Sequence, residues 1–271
     1  MSGNQLQMHT QGGVSWYSVP LFEKAGGVTA AFSMRKGGVS EGKLSSLNLG
    51  FAKPEPRENV QENYRRFLKP LGLDAEKIVI TVQKHTDIIL KDAHLHAGLG
   101  WDIPSEIVAD AEMTDQKDCV LVKLTADCVP VLLYAPDVHA IAAIHDGWAG
   151  TVKRLAQKTA ESMVEQYGAD PSKMLAAIGP SIGPCCFEVQ QDVADIFLAE
   201  FDPANTVRVS DIKWHIDLWK CNVDQLMDAG LRPENIAVGS ICTRCSCEDM
   251  FFSYRRDGVG TGSLAAVISL D

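Results

Sequence analysis

The stretch Thr125-Ala-Asp-Cys-Val-Pro-Val-Leu-Leu-Tyr-Ala-Pro-Asp-Val-His-Ala-Ile-Ala-Ala-Ile-His-Asp-Gly-Trp-Ala-Gly-Thr151 organises the chain. Two apolar runs, Val129 to Ala135 and Ala140 to Ile144, flank Pro136-Asp137. Runs of this kind around a Pro-Asp turn predict a β-hairpin. If the turn is centred on Pro136-Asp137, Cys128 falls opposite His145. Directly opposed residues on one face of a hairpin have Cβ atoms about 4.5–5.5 Å apart. A thiolate and an imidazole then meet just outside a buried sheet, as two of the three protein ligands of a zinc site with an open position.

Outward from the hairpin, Val120 to Leu124 and Ile78 to Val82 read as buried, β-branched strands. Trp16 to Phe22, Val28 to Phe32, Met174 to Ile178, Ile236 to Ile241, Phe251 to Tyr254 and Leu264 to Ile268 read as further strands. Helical periodicity follows Pro56, where Val60, Tyr64, Phe67 and Leu68 share a face. It returns in Thr151 to Tyr167, closed by Gly168, in Val189 to Phe201, and in Asp217 to Ala229. Residues 92–110 read as loop. The mixture predicts an α/β protein, a single layered domain over residues 14–271 with mixed β-sheets covered by outer helices. Residues 1–13, polar and glycine-rich, read as a flexible N-terminus.

The chain has 271 residues, 46% of them hydrophobic, enough for a substantial core. Its formal net charge of −10 argues against nucleic acid or an anionic membrane as partner, since both reward positive patches. No apolar run approaches the ~20 residues that span a bilayer. The N-terminus has neither the basic start nor the apolar core of a signal peptide. A cytoplasmic location is therefore expected, with the eight cysteines reduced.

His85 follows a buried strand and is the third candidate ligand beside Cys128 and His145. Cys128 as nucleophile with His145 as base fits the same hairpin. Asp127 and Asp146 flank the hairpin ends, and Asp87 follows His85 closely. Each is a candidate to orient an imidazole or move a proton. Cys242-Thr-Arg-Cys245-Ser-Cys247 resembles half of a zinc knuckle. Its expected role is packing and fold closure, because the vicinal pair Cys185-Cys186 is remote in sequence and awkward as a joint ligand. Arg35, Lys36, Arg255 and Arg256 are loop cations suited to phosphate or carboxylate oxygens. Gly179 to Pro184 lacks the Gly-Lys-Ser/Thr ending of a P-loop, and no Gly-x-Gly-x-x-Gly is present, which argues against ATP and NAD.

With these motifs in order along most of its length, the chain resembles the laccase-domain (polyphenol oxidase) family of purine nucleoside phosphorylases. The resemblance is carried by Phe32-Ser33-x-Arg35-x-Gly37-Gly38-Val39-Ser40, Ser46-Leu47-Asn48-Leu49-Gly50, Gln83-x-His85, Thr125-Ala126-Asp127-Cys128-x-Pro130-Val131, His145-x-Gly147-Trp148-x-Gly150, Gly179-Pro180-x-Ile182-Gly183-Pro184-Cys185 and Phe251-Phe252-Ser253-Tyr254-Arg255-Arg256-Asp257-Gly258. It implies Zn2+ held by His85, Cys128 and His145, and phosphorolysis of adenosine, inosine or methylthioadenosine. It also implies adenosine deaminase activity as an addition. The expected partners are purine nucleosides and phosphate, in a monomer or homodimer. Arg35 and Arg255 are then expected to contact anionic substrate and Asn48 to position it, with Asp127 or Asp146 carrying protons. A copper oxidase, as the older family name says, would need many more imidazoles; only His94-x-His96 has the pair spacing. Two departures from the usual His-Ala-Gly-Trp-Arg-Gly are Asp146 and Ala149, and Thr86 stands where glycine is usual after the first histidine.

Overall fold

The computed structural model describes residues 5–247 and 250–271. In chain order it contains β1 (Gln7–Gln11), β2 (Val14–Ser18), α1 (Pro20–Ala25), β3 (Val28–Ser33), α2 (Arg57–Leu68), β4 (Ile78–Ile80), β5 (Ile89–Leu90), β6 (Ala111–Thr114), β7 (Val120–Thr125), β8 (Val129–Ala135) and β9 (Ala140–Asp146). There follow α3 (Trp148–Val152), α4 (Leu155–Tyr167), β10 (Leu175–Ile178), β11 (Glu188–Val189), α5 (Gln191–Glu200), β12 (Thr206–Arg208), β13 (Trp214–Ile216), α6 (Leu218–Asp228), β14 (Ile236–Val238), α7 (Tyr254–Asp257) and β15 (Leu264–Leu270).

Two six-stranded mixed sheets, ordered β1-β2-β3-β15-β7-β4 and β14-β10-β8-β9-β6-β5, lie face to face. Phe32, Leu121, Ala266 and Ile268 from the first pack on Leu132, Tyr134, Ile141 and Ala143 from the second. The outer face of the first sheet is covered by α2 through Val60, Tyr64, Phe67 and Leu68. The outer face of the second is covered by α4 and α6 through Leu155, Met163, Leu218 and Leu226. The α/β class with mixed sheets under outer helices is as expected, in four layers. β8 and β9 are central and buried on both faces, which is why their sequences are continuous apolar runs and not alternating ones.

The hairpin forms, with a different register. Ala135 pairs with Ala140, so the turn holds four residues, and Pro130, not Cys128, lies opposite His145. The slip is two residues, and two is the side-chain period of a strand. Cys128 and His145 therefore stay on one face as diagonal neighbours. Of the expected flexible start, residues 1–4 lie outside the described residues, and the rest is ordered. Residues 7–11 form β1, paired with β2 across Gly12 and Gly13, both at positive φ. Two such residues make a tight hairpin turn, so the glycines mark pairing and not fraying.

Phe251 to Tyr254 is not a strand: Ser253 caps the short helix α7 with its side chain, accepting from the Arg256 amide. The segment after Ser18 turns into α1 at Pro20, which suits a first helical turn. Thr151 to Tyr167 divides into α3 and α4 because Arg154 adopts a left-handed conformation, φ 58°. The small sheet β11-β13-β12 and strand β6 arise in stretches whose periodicity showed neither.

Candidate metal centre

Cys128 precedes β8, His145 lies near the end of β9, and His85 arrives from the first sheet on the loop beyond β4. Their ligand atoms all lie within 4.8 Å of one another. His85 Nε2 is 3.6 Å from Cys128 Sγ, and the two imidazoles meet edge-on with centroids 4.9 Å apart. A Cβ on Gly147 would come 2.8 Å from His85 Cδ2 and 2.9 Å from Cys128 Sγ, so only glycine lets the chain pass behind both donors.

The organiser of the trio is Asp110, which the motifs did not reveal. Its buried carboxylate accepts His145 Nδ1 at 2.9 Å. It also accepts the amides of Lys84 (3.1 Å), His85 (3.0 Å) and Thr86 (2.7 Å), and the Thr86 hydroxyl at 2.7 Å. His85 is held at φ 57°, and its carbonyl accepts Lys153 Nζ at 2.7 Å. One carboxylate thus fixes a strained loop and leaves His145 Nε2 free to face the other donors. Thr86 uses its hydroxyl for this anchor.

Burial alone would raise the Asp110 pKa. Hydrogen bonds from His145 and Thr86 outweigh it and hold the group well below the usual carboxylate range. Burial lowers the His145 pKa, against the pull of Asp110, so the imidazole is neutral, the form that binds metals. Burial, then the carboxylates of Asp127, Asp146 and Asp110, push the Cys128 thiol up to about 12. A thiol in that state is a poor nucleophile at neutral pH. A divalent cation among these donors would be attracted by the Asp110 and Asp127 carboxylates and would bind the thiolate, so the donor set fits a metal. A metal-free Cys-His nucleophile would need the thiol pKa moved down, opposite to the direction that this burial sets.

A cavity of about 410 Å3 opens over the three donors. Leu124, Ile182, Phe187 and Leu218 supply apolar wall, Trp148 and Tyr254 aromatic faces, and Lys53 and Arg255 positive charge. A second cavity of about 430 Å3, lined by Phe51, Arg57 and Gln83, also reaches His85 and His145. Lys53 carried no motif signal. Burial lowers its pKa, so an anion beside it would gain a partly desolvated cation.

The other expected site residues are distributed differently. Arg255 lines the cavity, and its guanidinium donates to the carbonyls of Glu188 (2.9 Å) and Cys186 (3.4 Å). Asp127 lines it too, but its carboxylate is taken by Thr243 Oγ1 (2.6 Å), Ser253 Oγ (3.0 Å) and the Arg255 amide (2.6 Å). These three bonds seat α7 and hold both carboxylate oxygens of Asp127 in structural roles. Asp146 is a correction: one residue along β9 from His145, it points to the opposite face, under α3 and α4. Neither of its carboxyl oxygens has a well-formed hydrogen bond among the described residues, and burial holds its pKa well above the usual range. Arg35 is outside the cavity lining, over the Phe252 ring at 4.6 Å and 3.7 Å from Asp257. Asn48 is buried, accepting the amides of Gly50 and Ser263 and donating to Glu55. Its part is to hold Ser263, which does line the cavity. Asp87 is engaged by Lys158 at 2.6 Å. His94 donates to or accepts from Thr114, away from the trio.

Fold and site together define a four-layer α/β protein with a His2Cys donor cluster at the floor of a solvent-open cavity. The chain belongs to the family described as multi-copper polyphenol oxidoreductase laccase, which it matches over residues 29–271. It is 38% identical over 245 residues to the purine nucleoside phosphorylase of Deinococcus radiodurans, covering 90% of this chain and 89% of that one. It is 35% identical over 241 residues to the purine nucleoside phosphorylase of Bacteroides thetaiotaomicron, covering 87% and 89%. The crystal structure of YlmD from Geobacillus stearothermophilus superposes with a TM-score of 0.91 at 31% identity, over 98% of this chain and 99% of that one.

Proposed function

We propose that the chain is a purine nucleoside phosphorylase working in the cavity over His85, Cys128 and His145. The observation that carries this reading is the composition of that one cavity, which combines a metal-type donor cluster, two cations and apolar and aromatic walls. Its volume lies in the usual range for small-molecule sites, roughly 300–1,000 Å3. The names of the relatives support the same activity.

His85, Cys128 and His145 would hold zinc with one position open, where the ion supplies Lewis-acid polarisation of a substrate oxygen. The chain's own residues do the rest. Asp110 keeps the His145 proton on Nδ1 and the His85 loop in place. Lys53 and Arg255 attract phosphate to the cavity, and the substrates are a purine nucleoside and phosphate. Phe187, Trp148 and Tyr254 offer faces for a purine ring and exclude water from it. Phosphate attacks the ribose C1′ as the purine leaves, and charge developing on the sugar is stabilised by the bound anion. Deamination of adenosine would also need a carboxylate to shuttle protons beside the metal. Asp127 already accepts three hydrogen bonds that seat α7, and Asp146 faces away, so the site favours phosphorolysis over deamination.

The test is incubation of the purified protein with adenosine, inosine or methylthioadenosine, with and without phosphate, followed by chromatography. Free purine base is expected only with phosphate, together with ribose 1-phosphate from adenosine or inosine and 5-methylthioribose 1-phosphate from methylthioadenosine. Activity should fall with chelator and return with zinc. Inosine from adenosine without free base, or full activity after exhaustive metal removal, would overturn the reading.

A further inference from the structure

The cysteines left aside by the catalytic reading are not dispersed. The parallel bridge between Ser181 and Cys242 runs two distant segments side by side, with Ser181 N donating to the Ile241 carbonyl (3.1 Å) and Thr243 N to the Ser181 carbonyl (3.0 Å). Gly183 lies so close to Trp219 and Cys242 that a Cβ there would be 2.6 Å from the indole ring. A turn then closes with Cys186 N donating to the Gly183 carbonyl at 2.9 Å. The vicinal pair is thereby delivered to the Cys242-Thr-Arg-Cys245 turn, contrary to the expectation that it lies too far away. The Sγ atoms of Cys185, Cys186, Cys242 and Cys245 all lie within 4.8 Å of one another, with Cys185 and Cys245 3.5 Å apart.

We propose that Cys185, Cys186, Cys242 and Cys245 form a second, structural zinc site, separate from the cluster of His85, Cys128 and His145. Four thiolates at the usual Zn–S length of about 2.3 Å stand about 3.8 Å from one another in a tetrahedron. The observed cluster needs only small shifts to reach that arrangement. An iron–sulfur cluster would hold its four cysteine sulfurs farther apart, because the cluster itself lies between them. A single disulfide would draw two sulfurs together and leave no reason for the other two to converge.

The surroundings are those of a thiolate site. The Gly183 amide donates to Cys242 Sγ at 3.3 Å, and the amides of Cys245 and Arg244 are also turned on that sulfur. Amides directed at sulfur stabilise the thiolate that a metal requires. Arg244 Nη1 sits 3.5 Å from Cys186 Sγ and offsets the excess negative charge of four thiolates on one dication. Cys186 and Cys242 are buried while Cys185 and Cys245 are exposed, so an ion can enter from solvent and lose it on binding. With all four positions filled by protein sulfur, no place remains for substrate. Binding releases the thiol protons to solvent and involves no redox step.

The ion's work is mechanical. It ties the segment carrying Ile182 and Phe187 to the segment leading to Tyr254 and Arg255, and all four of these residues wall the cavity. Thr243, between the two knuckle cysteines, donates to Asp127, the neighbour of Cys128.

The test removes the other site first. Cys128→Ala protein, purified with zinc and washed with a mild chelator, is expected to retain one zinc per chain by mass spectrometry. X-ray absorption at the zinc edge should show an all-sulfur shell at about 2.3 Å. Adding Cys242→Ser and Cys245→Ser should abolish the retained zinc. A folded Cys128→Ala protein without zinc, a shell containing nitrogen or oxygen, or a Cys185–Cys245 disulfide in protein purified without reductant would each overturn the proposal. If the triple variant does not fold, the absorption spectrum of the Cys128→Ala protein decides. None of these readouts depends on turnover, so failure of the phosphorylase reading would leave them interpretable.

Discussion

Asp110 illustrates how a residue without a motif can set a site. It receives five hydrogen bonds from three consecutive amides, one hydroxyl and one imidazole. Replacing it by asparagine removes the charge and turns one acceptor into a donor facing amides. Asp110→Asn is expected to weaken metal binding by about 10–100-fold, as losses of ligand-orienting carboxylates do. Competition with a chromogenic chelator measures this, and unchanged affinity would refute the role assigned to Asp110. Asp146 gives the opposite expectation. It faces away from the donors and is buried without a well-formed partner, so Asp146→Asn should keep turnover within a few-fold of the parent. Loss of turnover with zinc content intact would return Asp146 to the chemistry. Trp148 of α3 lines the cavity together with Lys53 and Arg255, while Ala149 is outside that lining.

At the scale of elements, the junction between α3 and α4 shows how the chain turns from the site to the outer layer. Arg154 sits there at φ 58° and holds three neighbours. Its guanidinium donates to Glu200 at 2.5 Å, to Asp228 at 2.9 Å and to Gln157 at 2.6 Å, joining the start of α4 to the ends of α5 and α6. Arg154→Ala loses these ties and keeps the backbone cost. Arg154→Gly loses the same ties but adopts left-handed φ without the roughly 1–2 kcal/mol penalty. Urea unfolding should therefore find the glycine variant more stable than the alanine variant by about 1 kcal/mol. Equal midpoints would show that the conformation is unstrained. The β8–β9 hairpin shows what element-level reading can carry. Apolar runs located both strands, while a four-residue turn in place of a two-residue one moved the register. The donors stayed on one face because the slip was even.

Across the whole molecule, the two sheets are joined by more than apolar packing. Lys123 on β7 reaches across to Glu112 on β6 at 3.1 Å and to Thr81 Oγ1 at 2.6 Å, with both charged side chains fully buried. Burial pushes the Glu112 pKa up and the Lys123 pKa down, and each group resists the other's shift. Removing one partner strands a charge between the sheets. Glu112→Gln is expected to cost about 3–5 kcal/mol, while Glu112→Gln with Lys123→Met should recover most of that loss. A double-mutant cycle by guanidinium unfolding checks both, and additive losses would show that the pair is not coupled.

What the sequence by itself determined is local and periodic. The strands of the hairpin, the helical faces of α2 and α6, the α/β class and the His85–Cys128–His145 donor set all follow from apolar spacing, strand parity and motif order. Other features appear only when distant segments meet. Asp110 lies in a stretch without periodic signal, and its partners come from the loop beyond β4 and from β9. Arg35 and Asn48 looked like substrate residues because they sit in glycine-rich motifs, but tertiary packing spends their donors and acceptors on loops. Cys185 and Cys186 are 56 or more residues from Cys242 along the chain. They come together through a two-residue parallel bridge that no local pattern encodes. The physical reason is common to these cases. Backbone periodicity is written in neighbouring residues, whereas hydrogen-bond satisfaction, charge pairing and ligand clustering depend on which segments the buried core brings into contact.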